Sequence, residues 1–317
     1  MPRLLPAIAT RADFYRVRHQ PIDEWLRALR TLVARHGLPG VPAKRFGTGE
    51  NPVFGLGERL VVKLVPHLWA HVVRREIECL RFLADKTPLP VSHLVAEGTL
   101  EDWSYLVSTR LPGEPLHRVW PRLGPEARRK LADDFGGLVR ELHRIPVDGL
   151  RPGGIEWTQF CQNSVAAWIT RRDVDRLPAP LREDGPHFLA KENPLNAAAP
   201  LVLLHGDLAP ENTLVACGAS GWEFSGILDF GNAMAGDPLF DLTAPTVLLA
   251  PGQAEFVDRV LAGYGGPLGP SVRALRRRLM ALTLIHPMAD LPDCLALLKT
   301  TDACTTWEAV AERFWPG

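Results

Sequence analysis

No stretch of this chain stays apolar for the roughly 18–20 residues that a membrane-spanning helix needs. The opening MPRLLPAIATRADF is too short, and charged too early, for a secretory leader. A cytoplasmic chain with no membrane partner is therefore expected. Cysteine is sparse. Cys79, Cys161, Cys217, Cys294 and Cys304 make an odd count and never fall at CxxC spacing, which argues against a disulfide framework or a zinc site. Net charge is also missing, with 36 basic and 36 acidic residues, so no whole-chain field draws the protein to nucleic acid, although local patches remain open. Lysine is scarce, six residues against thirty arginines. No GxxxxGK occurs, which disfavours a P-loop nucleotidase. Internal repeats and low-complexity tracts are absent too.

The 317 residues, 46% hydrophobic and 23% charged, are ordinary for a globular protein and long enough for two lobes or domains. Trp25, Leu26, Leu29, Leu32 and Val33 recur at helical spacing and stop at Gly37. The glycine-rich stretch 45–65 reads as two strands across a turn, 71–85 as a helix and 104–111 as a strand. LPGEPL at 111–116, with two prolines and a glycine, reads as a linker. Beyond it, 124–144 reads as a helix, 150–200 as irregular with helical pieces, 201–230 as a small β island and 252–315 as mostly helical. These readings predict an α+β chain of two domains. Residues 1–110 form the first, with a helical extension over 1–40, and 111–317 form the second.

The stretch LVLLHGDLAPENTLV, 201–215, interrupts two strand-like runs with His205, Asp207 and Asn212. His-x-Asp with an asparagine five residues after the acid is the spacing of a kinase catalytic loop, where the acid orients a hydroxyl and the amide holds Mg²⁺. Turn chemistry also favours both residue types, so the spacing alone is weak. Seventeen residues beyond Asn212, ILDFG ends an apolar run on Asp229. An acid there is costly unless paired or bound to a cation; the plainer reading is a strand-end aspartate capping a turn. Lys63, in RLVVKLV, sits inside a strand-like run in the Val-x-x-Lys pattern that reaches nucleotide phosphates. The alternative is an edge lysine that blunts aggregation. Its carboxylate partner is expected from RREIECLRFLA, where Glu76 fits the buried face marked by Ile77, Leu80 and Leu83, with Glu78 as the alternative. Upstream, FGTGENPVFGLG brings Gly47, Thr48 and Gly49 ahead of the lysine strand, outside GxGxxG register. It suits a phosphate-facing turn or a plain hairpin. Glycine-rich turn, strand lysine, helix glutamate, linker, His-x-Asp with Asn, and Asp-Phe-Gly each appear once, in the order a two-lobed phosphotransferase uses.

HGDLAPENTLV followed by ILDFGNAMAGDPLFDL resembles the aminoglycoside phosphotransferase family, and RELHRIP at 140–146 is similar to that family's Leu-His helix end. GTGENPVFGLGERLVVKL, YLVSTRLPGEPL and LTLIHPMADL look like its hygromycin B 7″-O-kinase branch. The likeness covers most of the chain and is loose over 150–200 and after 288. It implies a protein-kinase-like bilobal fold with a small β-rich N-lobe and a larger helical C-lobe. It further implies transfer of the γ-phosphate of ATP or GTP, with Mg²⁺, to a hydroxyl of a cationic aminoglycoside. Carried onto this sequence, it makes Asp207 the catalytic base or orienting group and gives Mg²⁺ to Asn212 and Asp229. Lys63 and Glu76 become the phosphate-positioning pair, Thr48 and Gly49 the phosphate turn, and the backbone of Thr109 and Leu111 the adenine hinge. His205 and Asp241 become structural supports of the catalytic loop.

Some positions depart from the pattern. Glu211 precedes the metal asparagine where a small residue is usual, and Asn232 follows Asp-Phe-Gly where an acid is common. Both would face the acceptor. A polycationic acceptor needs several carboxylates, and the C-terminal region offers Asp290, Asp293 and Asp302, which also read as solvated helix-end acids. His286 reads better as a core histidine than as a ligand. A metabolite kinase acting on a choline, homoserine or sugar hydroxyl is the nearest rival, and a nucleotide-binding pseudoenzyme is the rival of another class. A protein kinase is disfavoured because no Ala-Pro-Glu follows Asp-Phe-Gly.

Overall fold

The computed structural model describes residues 3–47, 49–150, 156–195, 200–265, 271–298 and 304–316. The chain divides into two compact units. The first runs to Leu111 apart from Thr87–Leu89, and the second takes those three residues and continues from Pro112.

The first unit begins with α1 (Arg11–Val17), started by a reciprocal Thr10–Asp13 capping box, and α2 (Leu26–Arg35). Next come β1 (Ala43–Arg45), β2 (Val53–Leu56) and β3 (Leu60–Pro66), then α3 (Ala70–Leu83), β4 (Leu94–Leu100) and β5 (Trp103–Thr109). The strands form one antiparallel sheet in the order β1-β2-β3-β5-β4. Strands β2 and β3 are the two strands predicted across a turn in 45–65, and Ala43–Arg45, at the head of that stretch, adds a short edge strand by pairing with Phe54–Leu56. Strand β3 is central, and its side chains alternate between faces. Val62 and Leu64 enter a core with Trp25, Phe54 and Trp103, in which the two tryptophan rings meet edge-on at 5.6 Å. Val65 lies in a separate apolar cluster with Val73 and Ile77 of α3 and Leu106 of β5. Lys63, two residues earlier on the strand, shares that face.

The second unit opens with β6 (Glu114–Pro115), α4 (Leu116–Val119) and α5 (Pro125–His143). The predicted linker is therefore partly strand: β6 pairs with Leu214 and Val215. Gly113 allows this at φ +107°, where a Cβ would come within 2.6 Å of the Val215 carbonyl oxygen. Helices α6 (Trp157–Ala166) and α7 (Ala179–Glu192) are the longest helical pieces of the otherwise irregular 150–200 stretch. Residues 182–192 belong to α7, which buries Leu181, Phe188 and Leu189. Then follow β7 (Val202–Leu204), β8 (Thr213–Gly218), β9 (Gly221–Ile227) and β10 (Met234–Gly236). Strand β10 pairs with β7, while β6, β8 and β9 make a separate three-stranded sheet. Helices α8 (Leu239–Leu248), α9 (Ala254–Tyr264), α10 (Val272–Ile285), α11 (Leu291–Leu297) and α12 (Trp307–Phe314) complete the unit. Helix α5 turns Leu131, Phe135, Leu138, Val139 and Leu142 inward at helical spacing. It crosses α9 closely, since a Cβ on Gly136 would stand 2.1 Å from the Val260 carbonyl oxygen. The whole is mixed α+β. Among the described residues no helix is long and apolar enough to cross a membrane.

Candidate active site

In the first unit the lysine strand and the following helix meet at one bond. Lys63 Nζ donates to Glu76 Oε2 at 2.8 Å, and both side chains are about nine-tenths buried. Glu76 lies on the α3 face that also buries Ile77, Leu80 and Leu83. In the glycine-rich turn, Gly49 has φ +101°, a conformation that L side chains rarely adopt. Thr48, proposed beside it, lies outside the described residues. Thr109 ends β5, and both its N–H and its hydroxyl are engaged with the His93 backbone, at 2.9 and 2.8 Å.

In the second unit the segment between β7 and β8 is held at nearly every residue. The Asp241 carboxylate, in the first turn of α8, accepts from His205 N at 2.7 Å and Gly206 N at 2.9 Å. His205 is fully buried. Its Nδ1 accepts from Asp207 N at 3.2 Å, so Nε2 carries the proton and donates to the Leu228 carbonyl at 2.8 Å. Leu228 N–H in turn donates to the Asn212 carbonyl at 2.8 Å. Both backbone groups of Leu228 are thereby held by the loop, which fixes where the next residue, Asp229, begins. Asp229 is left-handed, with φ 64° and ψ 65°, a conformation costing on the order of 1–3 kcal/mol for a residue with a side chain. Gly206, at φ +78°, lies so close to Asn232 that a Cβ would be 2.2 Å from its carbonyl oxygen.

Asn212 Nδ2 donates to the Asp207 carbonyl at 2.9 Å and to its carboxylate at 3.1 Å. That commits the amide nitrogen and leaves Oδ1 as the group's acceptor. The Asp207 carboxyl is raised to about 6, first by burial and then by the nearby Asp229 charge; His205 and the Asn212 bond oppose the rise. Burial would also raise Asp241, but the bond from His143 and the neighbouring His205 and Gly206 N–H outweigh it and hold that carboxyl below its usual range. Among the described residues no three His, Cys, Asp or Glu side chains form a metal cage. One amide oxygen and one carboxylate still suit a hard divalent ion that takes its other ligands from phosphate and water.

The acceptor candidates are dispersed. Glu211 is exposed and Asn232 half-buried. Asp290 caps α11, its Oδ1 accepting from Asp293 N at 3.1 Å, and it pairs with Arg176. Asp293 is 79% exposed and lies 3.9 Å from the same arginine. Asp302 lies outside the described residues. His286 is buried and stacks on Phe240 at 4.6 Å, within the core. The sequence reading gives no role to three side chains beside the loop, the buried His143 and Asp237 and the half-buried Tyr264. His143 Nε2 reaches Asp241 at 3.2 Å, and Tyr264 Oη reaches His143 Nδ1 at 3.0 Å. Asp237, buried between β10 and α8, pairs with Arg278. A histidine closing the apolar face of a helix was the available signal for the first, because a buried polar side chain requires a partner.

The sequence model of the phosphotransferase enzyme family matches residues 42–278. Viomycin phosphotransferase of Streptomyces vinaceus is 31% identical over 189 residues, 57% of this chain and 61% of that protein. Lysine-specific demethylase JMJ21 of Arabidopsis thaliana is 21% identical over 269 residues, 67% of this chain and 28% of that one. The chain thus spans less than two thirds of the length of either relative. The GDP complex of wild-type aminoglycoside 2'-phosphotransferase-IIIa superposes with a TM-score of 0.70 at 18% identity, over 86% of this chain and 97% of that one. Aminoglycoside phosphotransferase APH(3'')-Id from Streptomyces rimosus, with ADP and streptomycin, gives 0.62 at 20% identity, over 82% and 98%. At these identities the likeness is one of fold, the kinase-like α+β fold of aminoglycoside phosphotransferases.

Proposed function

The chain belongs to the phosphotransferase enzyme family, and from that premise we propose that it transfers the γ-phosphate of ATP or GTP to a hydroxyl of a small cationic antibiotic. An aminoglycoside of the hygromycin B type is the first acceptor to test. The observation that carries the reading is the convergence on Asp207. Its carboxylate is gripped by Asn212, faces the Asp229 charge, and stands on a loop whose backbone is bonded to Asp241 and Leu228. A group held this way can accept the acceptor's hydroxyl proton and aim its oxygen at phosphorus without moving during the reaction. Asn212 Oδ1 and the Asp229 carboxylate would hold Mg²⁺, which when bound neutralises the nucleotide phosphates. Lys63, oriented by Glu76, would contact the phosphates, with Thr48 and Gly49 of the glycine-rich turn closing on them. Because the Thr109 N–H is committed to His93, the Thr109 carbonyl and the Leu111 N–H are the hinge groups proposed for the base. The first unit is proposed as the nucleotide lobe and the second as the catalytic and acceptor lobe, working in the cytoplasm.

The acceptor assignment draws support from the antibiotic named by the viomycin relative and from the aminoglycosides named by the structural neighbours. One observation favours the metabolite alternative. Asp290 and Asp293, two of the acids placed to receive a polycation, are engaged with Arg176 and a helix terminus. The discriminating experiment incubates the protein with Mg²⁺-ATP or Mg²⁺-GTP and a panel of hygromycin B, other aminoglycosides, viomycin, choline, homoserine and sugars. Products are read by mass. Phosphate appearing on an antibiotic supports the leading assignment. Phosphate only on a metabolite keeps the mechanism and discards the resistance role.

A further inference from the structure

Three side chains from three helices line up behind the catalytic loop. Tyr264 is the last residue of α9, His143 the last of α5, and Asp241 lies in the first turn of α8. Tyr264 Oη is 3.0 Å from His143 Nδ1, and the two rings meet edge-on at 5.5 Å. His143 Nε2 is 3.2 Å from Asp241 Oδ2. That same oxygen receives His205 N–H, and Oδ1 receives Gly206 N–H. Proton direction along the chain follows from the donors available. An ionised Asp241 only accepts, so His143 donates through Nε2. The tautomer with its proton on Nε2 leaves Nδ1 as an acceptor for the Tyr264 hydroxyl. The phenol keeps its proton for this purpose, because burial and the charges of Asp241 and Asp237 push it up to about 12.

Resting on the phosphotransferase reading above, we propose that Tyr264 and His143 are positioning residues for phosphoryl transfer. Tyr264 fixes the tautomer and rotation of His143, His143 fixes the Asp241 carboxylate, and Asp241 sets the two amides that immediately precede Asp207. Neither residue touches substrate in this scheme. Without the Tyr264 hydroxyl the imidazole loses the partner that decides which nitrogen carries the proton, and Asp241 is left holding two amides with a less constrained carboxylate. A loop that must present Asp207 within a few tenths of an ångström would then sample more positions.

The test uses Tyr264→Phe, which keeps the ring against His143, together with His143→Gln, which keeps a donor towards Asp241, and His143→Leu, which does not. Two readouts are taken on the full chain. Amide hydrogen exchange at His205 and Gly206 should quicken about tenfold in Tyr264→Phe while α10 amides stay unchanged. With the acceptor identified by the panel, kcat should fall about tenfold and KM for nucleotide should stay within about twofold. His143→Gln should lie nearer the wild type than His143→Leu in both readouts. Unchanged exchange at the two loop amides would overturn the inference, as would acceleration spread equally over α5, α9 and α10, which marks an ordinary packing role. A fall in kcat matched by a rise in nucleotide KM would overturn it too. If the wild-type protein phosphorylates no acceptor, the phosphotransferase reading fails on its own, and the exchange experiment still decides whether the loop is held from Tyr264.

Discussion

At the scale of single residues, the proposed site in the second unit holds two positions with positive φ. Asp229 is held left-handed, and Gly206 sits where its α-hydrogen faces the Asn232 backbone. Gly206→Ala brings two penalties, a positive φ of 78° and a Cβ 2.2 Å from a carbonyl oxygen. It should lower stability by about 1–3 kcal/mol and displace Asp207, which is the next residue. Thermal unfolding together with kcat checks this; a variant with normal kcat would show that loop geometry is not limiting. His286 gives a pH dependence of different origin. Its ring is fully buried and its pKa is lowered to about 4 from an ordinary 6.5, chiefly by burial, with Asp241 opposing. The unfolded chain therefore takes up the proton first. The stabilisation is fully present above pH 6.5 and is lost as pH falls from there towards 4, a change on the order of 3 kcal/mol. Urea unfolding at several pH values should show that loss in the wild type, and His286→Asn should flatten it. Much of this scale is legible in the sequence. Spacing picks out Asp207, Asn212, Asp229 and Lys63, and the apolar face of α3 brings out Glu76. His143 and Tyr264 are not legible as a pair, because they are 121 residues apart and meet only when two helices cross.

At the scale of elements, long periodic segments are readable and short ones are not. Helices α3 and α5 follow directly from their apolar spacing. The edge strand β1 and the two-residue β6 have too few residues to show alternation and exist only because a partner strand accepts them. Helices α6 and α7 show in the sequence only as helical pieces without bounds, for another reason. Prolines and glycines dominate their surroundings, and α7 carries Pro186 and Gly185 within it, the glycine because Trp168 lies where a Cβ would be, at 2.1 Å. The crossing of α5 and α9 depends on two glycines. A Cβ on Gly136 meets Val260 O at 2.1 Å, and one on Gly263 meets Asp133 O at 2.2 Å. Gly136→Ala should force the helices apart, costing about 1–3 kcal/mol or more because backbone rather than flexible side chain must yield. A lowered urea midpoint checks it. Since His143 and Tyr264 end those two helices, the same variant should also loosen exchange at His205 and Gly206.

At the scale of the whole molecule, the balance of charge is local pairing more than global neutrality. Arginine closes off acids throughout the second unit: Arg171 with Asp173, Arg176 with Asp290, Arg277 with Glu192, Arg278 with Asp237 and Arg273 with Glu308. The planar guanidinium suits such pairs, and arginine outnumbers lysine thirty to six. Lys63, one of those few lysines, is buried against Glu76 in the first unit, and Asp207 is the raised carboxyl of the β7–β8 loop in the second. The central claim is that Asp207 carries the transfer step. The most direct test compares wild type with Asp207→Asn, a change that preserves shape and removes the charge. Acceptor-dependent, Mg²⁺-dependent nucleotide turnover and nucleotide affinity are measured on both. The expected result is turnover in the wild type that drops by about 10²–10⁴-fold in the variant, with nucleotide still bound. Equal turnover in both proteins, or nucleotide binding without turnover in the wild type for every acceptor tried, would contradict the claim and favour a nucleotide-binding protein with no transfer activity.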